Sequence, residues 1–484
     1  MPAKAGGVVG AAIAVALSLT ACTVGPDYVR PEVDTPQAFR FEEKEAKDLA
    51  NTAWWKQFRD PVLDALIDEG LANSKDLRIA AARVEEFAGR LTTTRSQFYP
   101  QIGYGGGGAR EQFSERLGTS LPPGVSNPQT TYSAVITASW EIDLFGRIRR
   151  LSEAAQAQLM ATEEGRRGVV LSLVSSVATG YIALRGFDKQ LEIAKRTAAS
   201  RRAALDLFEL RYKGGVVSLV EVAQIRSEYE AAVAAIPTIE RAIAQTENAL
   251  SILVGRNPGP IVRGKSIDEL QDVAVPAGVP SDLLVRRPDI RQAEQNLVAA
   301  NANIGAARAL YYPTISLTGL FGYASSDLDN LFSGPSQQWS YGGSIIGPIF
   351  TFGLIEGLVA ASEAQQRQLL ANYESTIQNA FREVDDSLID NRKSRERLAA
   401  QSRQVAALRD YARLSRMRFE GGVTSYLEVL DAERSLFNTE LDYTQTQGEV
   451  FNALVNIYKS MGGGWVNEAD KLAPQPRIEA ESTQ

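Results

Sequence analysis

The stretch RFEGGVTSYLEV, residues 418–429, occurs twice in this chain in closely similar form. Its counterpart, RYKGGVVSLVEV at 211–222, shares seven of the twelve letters and lies 207 residues earlier (418 − 211). Nearer the N-terminus of each half the offset is 213, as in the Tyr-Pro pairs at 99–100 and 312–313 (312 − 99). Such repeats are far longer than the roughly 20–50-residue units of solenoids, so they predict a duplicated fold with two equivalent halves.

Each copy of this stretch predicts a tight turn between two antiparallel helices. The glycine pairs at 214–215 and 421–422 can adopt the left-handed conformation that ends a helix. A serine followed three residues later by a glutamate then forms a capping box, which starts the next helix. These residues are Ser218 with Glu221 in the first copy and Ser425 with Glu428 in the second. The chain is therefore predicted to carry two helical hairpins, each with its own tip.

Very long helices are predicted to lead into these turns. No glycine or proline interrupts 358–420, a run of 63 residues rich in strong helix formers. Such a helix would be about 95 Å long at 1.5 Å per residue, which is typical of coiled-coil packing. The first half has a matching proline-free run at 146–214. Its apolar stretch 168–184 is interpreted as a buried helix face rather than a membrane span, because its counterpart 375–391 carries five charges.

Four segments of alternating apolar and polar residues predict strands. They lie in two pairs, at 99–110 with 131–140 and at 314–323 with 338–353. An open sheet edge cannot sit in lipid, and the smallest closed barrels need about eight strands. If these strands meet a membrane, several chains must share one barrel. A dimer (2 × 4) and a trimer (3 × 4) both remain open at this point.

Composition excludes several classes of chemistry. The net charge of −7 gives no support to nucleic-acid binding. The chain has no histidine and one cysteine, Cys22, which excludes intrachain disulfides, Cys/His zinc sites and His-based triads. We therefore expect no enzyme activity, no metal site and no cofactor.

Two glycine-rich stretches match nucleotide-binding patterns only formally. GPIVRGKS at 259–266 fits the phosphate-loop pattern, but Pro260 lacks the N–H group that such a loop uses. GYGGGG at 103–108 fits a dinucleotide pattern, but no helix is predicted to follow it. Both stretches are predicted to be structural.

The N-terminus predicts a cleaved leader and a lipid anchor. An apolar run at 8–21 is too short for a comfortable span of the bilayer. It ends in LTAC at 19–22, which resembles the lipoprotein signal whose cysteine becomes the acylated first residue. Thr23 favours the outer membrane, since an Asp there would resemble an inner-membrane retention signal. We predict a signal peptide over 1–21 and covalent lipid on Cys22; the alternative is an ordinary signal peptide with a chance cysteine.

Along nearly its whole length the sequence resembles the TolC-like outer membrane efflux factors, in the lipoprotein branch that works with resistance–nodulation–division pumps. The stretches that carry the resemblance are CTVGPDYVRP (22–31), WWKQFRDPVLDALIDEGL (54–71), VPSDLLVRRPDIRQAEQNLVAANANIGAARALYYPTISLTG (279–319) and GGGW (462–465). The resemblance implies a mainly α fold with a small membrane β part and two tandem repeats. It also implies long antiparallel helices forming a trimeric α-barrel, continuous with a shared twelve-stranded β-barrel to which each chain gives four strands.

Domain boundaries follow from the repeat together with this resemblance. The predicted segments are a signal peptide over 1–21, an acylated extended segment over 22–60, a first repeat over 61–255 with a β-hairpin at 99–145 and a helical tip at 211–222, an equatorial connector over 256–288, a second repeat over 289–461 with a β-hairpin at 312–353 and a helical tip at 418–429, and an equatorial tail over 462–484.

The function implied by the resemblance is the outer membrane exit duct of a tripartite efflux pump, which passively conducts drugs or other small molecules. The implied partners are two further copies of the chain, a periplasmic membrane-fusion adaptor, an inner-membrane resistance–nodulation–division transporter and outer membrane lipid. One alternative is the outer membrane duct of a type I protein secretion system. An alternative of another class is a structural envelope lipoprotein without a pore, which discrete conductance in planar bilayers would rule out.

The resemblance also assigns roles to the two tips. Docking of the adaptor is implied for Gly214, Gly215, Val216, Ser218, Gly421, Gly422, Val423 and Ser425. A periplasmic gate is implied for Leu427, Asp431 and Arg434, which are spaced i, i+4 and i+7 on one helix face. The first hairpin has uncharged residues at the equivalent positions Val220, Gln224 and Ser227. The alternative interpretation is that the three gate residues are ordinary exposed helix positions.

Overall fold

The computed structural model describes residues 23–41, 53–114, 116, 126–271, 275, 280–462 and 465–478. The predicted signal peptide over 1–21 and the predicted lipid attachment residue Cys22 lie outside the described residues. The chain divides into two compact units. Unit 1 comprises Met1–Pro31, Glu86–Ala161 and Glu294–Asn372, and unit 2 comprises Glu32–Glu85, Thr162–Ala293 and Tyr373–Gln484.

Helices dominate the described part of the chain. Their bounds are α1 Pro61–Asn73, α2 Lys75–Ser96, α3 Arg147–Lys213, α4 Leu219–Leu253, α5 Pro280–Arg286, α6 Pro288–Ala309, α7 Leu354–Glu420, α8 Tyr426–Ser460 and α9 Trp465–Asp470, with short 3-10 turns at Trp54–Phe58, Ile267–Glu269, Leu328–Asn330 and Gly334–Ser336. Helices α3 and α7 each have 67 residues, and α4 and α8 each have 35. The duplication predicted from the sequence is thus reproduced in the four long helices.

Unit 1 contains one antiparallel sheet whose four strands follow chain order. The strands are β1 Gln101–Glu111, β2 Gln129–Ile142, β3 Thr314–Ser325 and β4 Gln337–Ile346. Four strands per chain were predicted, and the GYGGGG stretch at 103–108 lies within β1. The fourth strand is shorter than the predicted 338–353. It ends at Ile346 because Gly347 and Pro348 follow, and proline cannot donate a ladder hydrogen bond.

The two faces of this sheet differ in polarity. Ile136 on β2 lies opposite Tyr104 on β1 and Phe321 on β3, and Phe321 lies opposite Trp339 on β4. All four side chains of this row are exposed. The opposite face carries smaller or more polar side chains, among them Ser139, Thr318, Gly342, Ser316 and Ser344. An exposed apolar face backed by small polar residues is typical of strands in a transmembrane barrel.

The first described residues lie against the end of this sheet, within unit 1. The N–H group of Val24 donates to the carbonyl of Phe145 at 3.2 Å. Gly25 passes so close to Gly305 that a Cβ atom on Gly25 would lie 2.3 Å from the Gly305 Cα. The residues from Thr23 to Gly25 are therefore packed within unit 1.

In unit 2 the N-terminal segment and the C-terminal tail pack on the long helices. Trp54 stacks on Tyr458 with ring centroids 5.4 Å apart and meets Trp465 edge-on at 5.9 Å. Arg166 on α3 donates two hydrogen bonds to the Asp470 carboxylate, at 2.6 and 2.9 Å. Aromatic packing and this bidentate ion pair hold both segments in place.

The connector stretch 259–266 also belongs to the packing of unit 2. The buried Asp60 carboxylate accepts hydrogen bonds from the Lys265 N–H at 3.0 Å and the Tyr181 hydroxyl at 2.8 Å. The Tyr181 oxygen in turn accepts from the Gly264 N–H at 2.9 Å. Burial and the Asp60 carboxylate raise the pKa of Tyr181. Backbone N–H groups that a phosphate loop would offer to a nucleotide are thus taken by protein acceptors, as the structural interpretation predicts.

Among the helices of the described residues, α3 alone contains a window long and apolar enough to cross a membrane by length and composition. Half of that window is buried inside the protein. In the 168–184 stretch Val174, Val177 and Tyr181 are almost fully buried. This burial accords with the predicted core face of a long helix.

Candidate functional site

The tip of the first hairpin ends α3 with a Schellman motif, the paired hydrogen bonds that satisfy the last carbonyls of a helix. The Val216 N–H donates to the Arg211 carbonyl at 2.9 Å, and the Gly215 N–H to the Tyr212 carbonyl at 2.9 Å. Gly215 has a φ of +71°, in the left-handed region, whereas Gly214 lies outside that region. The second glycine of the pair is therefore the one that the turn requires.

The tip of the second hairpin repeats this motif at the end of α7. The Val423 N–H donates to the Arg418 carbonyl and the Gly422 N–H to the Phe419 carbonyl, both at 2.9 Å. Gly422 has a φ of +74°, and Gly421 lies outside the left-handed region. The two tips thus share one backbone geometry, in which a single glycine of each pair is left-handed.

The helices that leave the tips begin differently. Ser218 and Glu221 form the predicted capping box, with a 2.8 Å bond from the Ser218 N–H to the glutamate and a 3.4 Å bond from the Glu221 N–H to the serine oxygen. The capping box predicted for Ser425 and Glu428 is wrong, because the Ser425 side chain makes no capping hydrogen bond. The Glu428 carboxylate instead accepts from Arg418 at 2.9 Å. Arg418 across the turn and the Thr424 hydroxyl beside it thus occupy this carboxylate in place of the predicted cap.

An apolar cluster joins the two hairpins next to their tips. Phe208 and Tyr426 lie with ring centroids 4.4 Å apart, and Phe419 meets Tyr426 edge-on at 4.9 Å. The remaining buried members are Leu205, Val222, Ile225, Val429 and Leu430. Burial and the nearby Glu433 carboxylate raise the pKa of Tyr426 to about 12, so this phenol stays neutral. The hairpins of one chain are therefore packed together at this level.

The three predicted gate residues line one cleft of about 670 Å³ beside this cluster. Arg434 donates to the Asp431 carboxylate at 2.8 Å, and both side chains are about half exposed. Leu427 is 59% exposed, so its side chain is available for contacts outside the chain. Gln224 and Ser227, which occupy the equivalent positions of the first hairpin, line the same cleft. The structure thus brings the three predicted gate residues together with two of the three equivalent positions of the first hairpin, and Val220 does not line the cleft.

Sequence reasoning missed an ion pair that both hairpins make at equivalent positions. In the first hairpin Arg226 donates to Glu209 at 2.7 Å. In the second, at an offset of 207 (416 − 209 and 433 − 226), Arg416 pairs with Glu433, so the two signs are exchanged. Aligning the two halves for opposite charges would have shown this pair. In each hairpin this ion pair links the helix that leads into the tip to the helix that leaves it.

Among the residues that the structure describes, no cluster of acidic, histidine or cysteine side chains could hold a metal ion.

Comparison with known proteins identifies the family. A family model described as "Outer membrane efflux protein" matches the chain twice, over residues 66–256 and 279–463. The chain belongs to the outer membrane efflux protein family. One match falls on each half of the duplication, which confirms the two repeats. This outer membrane efflux protein is therefore a channel protein of the outer membrane. The predicted fold class, which is mainly α with a small membrane β part and two tandem repeats, is confirmed.

Individual relatives agree over almost the whole length of this efflux protein. It is 37% identical over 462 residues to the cation efflux system protein CusC of Escherichia coli, and the alignment covers 93% of this chain and 97% of CusC. It is 35% identical over 472 residues to the probable efflux pump outer membrane protein TtgC of Pseudomonas putida, covering 96% and 97%. The open-state crystal structure of the MtrE outer membrane channel of Neisseria gonorrhoeae superposes with a TM-score of 0.80 at 30% identity, covering 92% and 99%.

Proposed function

We propose that this efflux protein is a homotrimer that forms the passive exit duct of a tripartite pump. Its partners would be a periplasmic membrane-fusion adaptor and an inner-membrane resistance–nodulation–division transporter. The observation that carries the proposal is the sheet of unit 1. Within the described residues β1 and β4 each pair on one side only, and the sheet exposes an apolar face. Unpaired backbone groups cost several kcal/mol each in lipid, so each edge must pair with another copy.

The small side chains on the polar face of the sheet favour a barrel made by three copies of the chain rather than by two. A barrel of about eight strands is just wide enough for side chains to fill its interior. The polar face here carries mostly glycine, serine, threonine and alanine, which are too small to fill such a space. Three copies (3 × 4 strands) would enclose a wider, water-filled lumen through which solutes could pass.

The tips and the gate cleft are proposed to serve coupling and closure. Two tips with the same Schellman geometry would offer equivalent surfaces to the adaptor. Leu427 would form the apolar part of the closed gate, and Asp431 its cation-selective part. Arg434 lies 2.8 Å from Asp431 and would offset part of the repulsion between the aspartates of three copies.

A lipid anchor on Cys22 is proposed from the position of its neighbour. Thr23 lies against Gly146, where an added Cβ would be 2.8 Å from the threonine side chain. Close by, Phe145 and Tyr312 stack with centroids 4.6 Å apart beyond the ends of β2 and β3, and aromatic residues are enriched at membrane interfaces. Thr23, the residue that follows Cys22, thus lies near the end of the sheet, and this position supports an anchor at that level. Apart from this covalent lipid we propose no cofactor and no catalytic role.

Small-molecule export rather than protein secretion is the proposed function, since CusC and TtgC are named for efflux. The test combines the mass of the purified protein in detergent with current recordings in planar bilayers. A trimer with discrete single-channel conductance supports the duct. If the purified protein is stable but shows no conductance in the bilayer, it is a structural envelope protein and not a duct.

A further inference from the structure

A second cleft, of about 490 Å³, lies between the two hairpins of unit 2 and shares no lining residue with the gate cleft. Helices α3, α7 and α8 form its walls. Its lining is strongly basic: the five arginines are Arg196, Arg201, Arg409, Arg413 and Arg416, against the two acids Glu433 and Glu440. A volume of this size suits a small-molecule ligand.

Arg201 is the buried member of this lining, and its hydrogen bonding is incomplete. Its Nη1 donates to the Glu228 carbonyl at 2.5 Å and lies 3.1 Å from the Glu228 carboxylate. The side chain is only 3% exposed, yet its Nε and Nη2 have no hydrogen-bond partner among the described residues. The guanidinium also lies 5.3 Å from the centre of the Phe437 ring. Buried donors are nearly always bonded, so two donor nitrogens of a buried cation without acceptors indicate a missing acceptor.

The carboxylates around the cleft do not balance its arginines. The nearly buried Glu440 is shared, since it accepts from Arg196 at 2.5 Å and from Arg409 at 2.8 Å. The other ion pairs are Arg416–Glu433, Arg413–Asp410 and Arg201–Glu228. Five guanidinium groups thus meet four carboxylates, and only two of those carboxylates line the cleft. The cleft therefore keeps a positive potential that attracts anions.

We propose that this cleft binds a small oxyanion of the carboxylate or phosphate class, held chiefly by Arg201 and Arg413. Guanidinium groups match such ions because their planar fork of donors can meet two oxygens at once. Arg201 lies on α3 of the first hairpin and Arg413 on α7 of the second. A bound oxyanion would bridge the two hairpins. This would add a ligand-dependent contact between them, next to the tips.

Isothermal titration calorimetry of the full-length protein in detergent tests the proposal. Inorganic phosphate and citrate serve as separate probes, with ionic strength held constant by sodium chloride. We expect saturable binding with one site per chain for at least one probe. Binding of phosphate alone assigns the phosphate class, and binding of citrate alone assigns the carboxylate class. Arg201→Gln should weaken binding at least about tenfold, the size expected when one charge-assisted hydrogen bond is lost.

Arg202→Gln is the matched control, because Arg202 is the next residue on α3 but is exposed, pairs with Asp206 and does not line the cleft. It should bind the probe like the unmodified protein. If Arg201→Gln folds poorly, Arg413→Gln decides, since that side chain is 59% exposed and its loss leaves the core intact. Arg413→Gln should weaken binding about tenfold at an unchanged yield of assembled protein. Absence of saturable binding for both probes, or equal affinities in Arg413→Gln and Arg202→Gln, would overturn the proposal.

Discussion

Replacement of Gly422 by alanine should loosen the second tip, whereas the same change at Gly421 should not. Gly422 has a φ of +74°, and a Cβ added there would meet no atom within 4 Å, so the cost is purely conformational. An alanine held in the left-handed region costs roughly 1–2 kcal/mol. At Gly421 the backbone is not left-handed, and the nearest atom to an added Cβ is the Met417 carbonyl oxygen at 3.4 Å. That contact is ordinary, so alanine should fit.

Hydrogen exchange at the tip measures this difference, because the Val423 N–H closes the turn on the Arg418 carbonyl. A local cost of roughly 1–2 kcal/mol corresponds to opening that is about 5–30-fold more frequent. Exchange of the Val423 amide should therefore accelerate by that factor in Gly422→Ala and remain unchanged in Gly421→Ala. Gly422→Asn should recover most of the protection, since asparagine tolerates the left-handed region better. Equal exchange in both alanine variants would refute the assignment of the turn to Gly422.

The remaining predictions concern coupling, gating and anchoring. Gly422→Pro should abolish drug resistance at a normal yield of trimer, because proline fixes φ near −65°; undiminished resistance would count against docking at the tip. Leu427→Ala should raise the resting single-channel conductance strongly by opening the apolar part of the gate. Arg434→Ala should raise it less, since an exposed i,i+3 ion pair on a helix contributes only about 0.2–0.5 kcal/mol. Asp431→Ala should lower the cation preference, measured by reversal potential in a salt gradient. If all three gate variants match the unmodified channel in conductance and in cation preference, these residues are ordinary exposed helix positions. Cys22→Ala should abolish incorporation of labelled palmitate, and label in this variant would exclude the lipoprotein assignment.

The long helices could be predicted well because their signals are local. Absence of glycine and proline predicted a helix over 358–420, and α7 begins only four residues earlier, at Leu354 (358 − 354). Because the sequence repeats, a matching long helix could also be predicted in the first half. Strand ends were less accurate, because alternation of apolar residues continues past Pro348 although hydrogen bonding does not. Periodicity describes side chains, whereas a strand ends where its backbone can no longer pair.

The candidate site shows where local patterns stop being sufficient. Spacing placed Leu427, Asp431 and Arg434 on one helix face, but only packing of the hairpins shows that Gln224 and Ser227 share their cleft. The serine–glutamate pattern occurs at both tips, yet a tertiary ion pair replaces the second capping box. The unused donors of Arg201 were likewise invisible in the sequence, because an arginine among many charges on a long helix usually indicates a solvated face.

A barrel shared between chains can be tested by cross-linking β1 of one copy to β4 of another. Gly105→Cys and Gly342→Cys place thiols on the polar face of the two edge strands. Cβ atoms there would meet only side chains, at 3.7 and 3.8 Å, so both changes should be tolerated. Thr137→Cys with Leu320→Cys is the matched control, since these register partners lie on β2 and β3 of the same chain.

The most direct measurement is denaturing electrophoresis after treatment of intact outer membranes with a flexible bis-maleimide. The edge-strand pair should yield linked dimers and trimers and no larger product, because three chains close one barrel. The control pair should link within one chain and keep the monomer mass. An edge-strand variant that labels fully but runs only as monomer, or forms products larger than a trimer, would contradict a barrel closed by three chains.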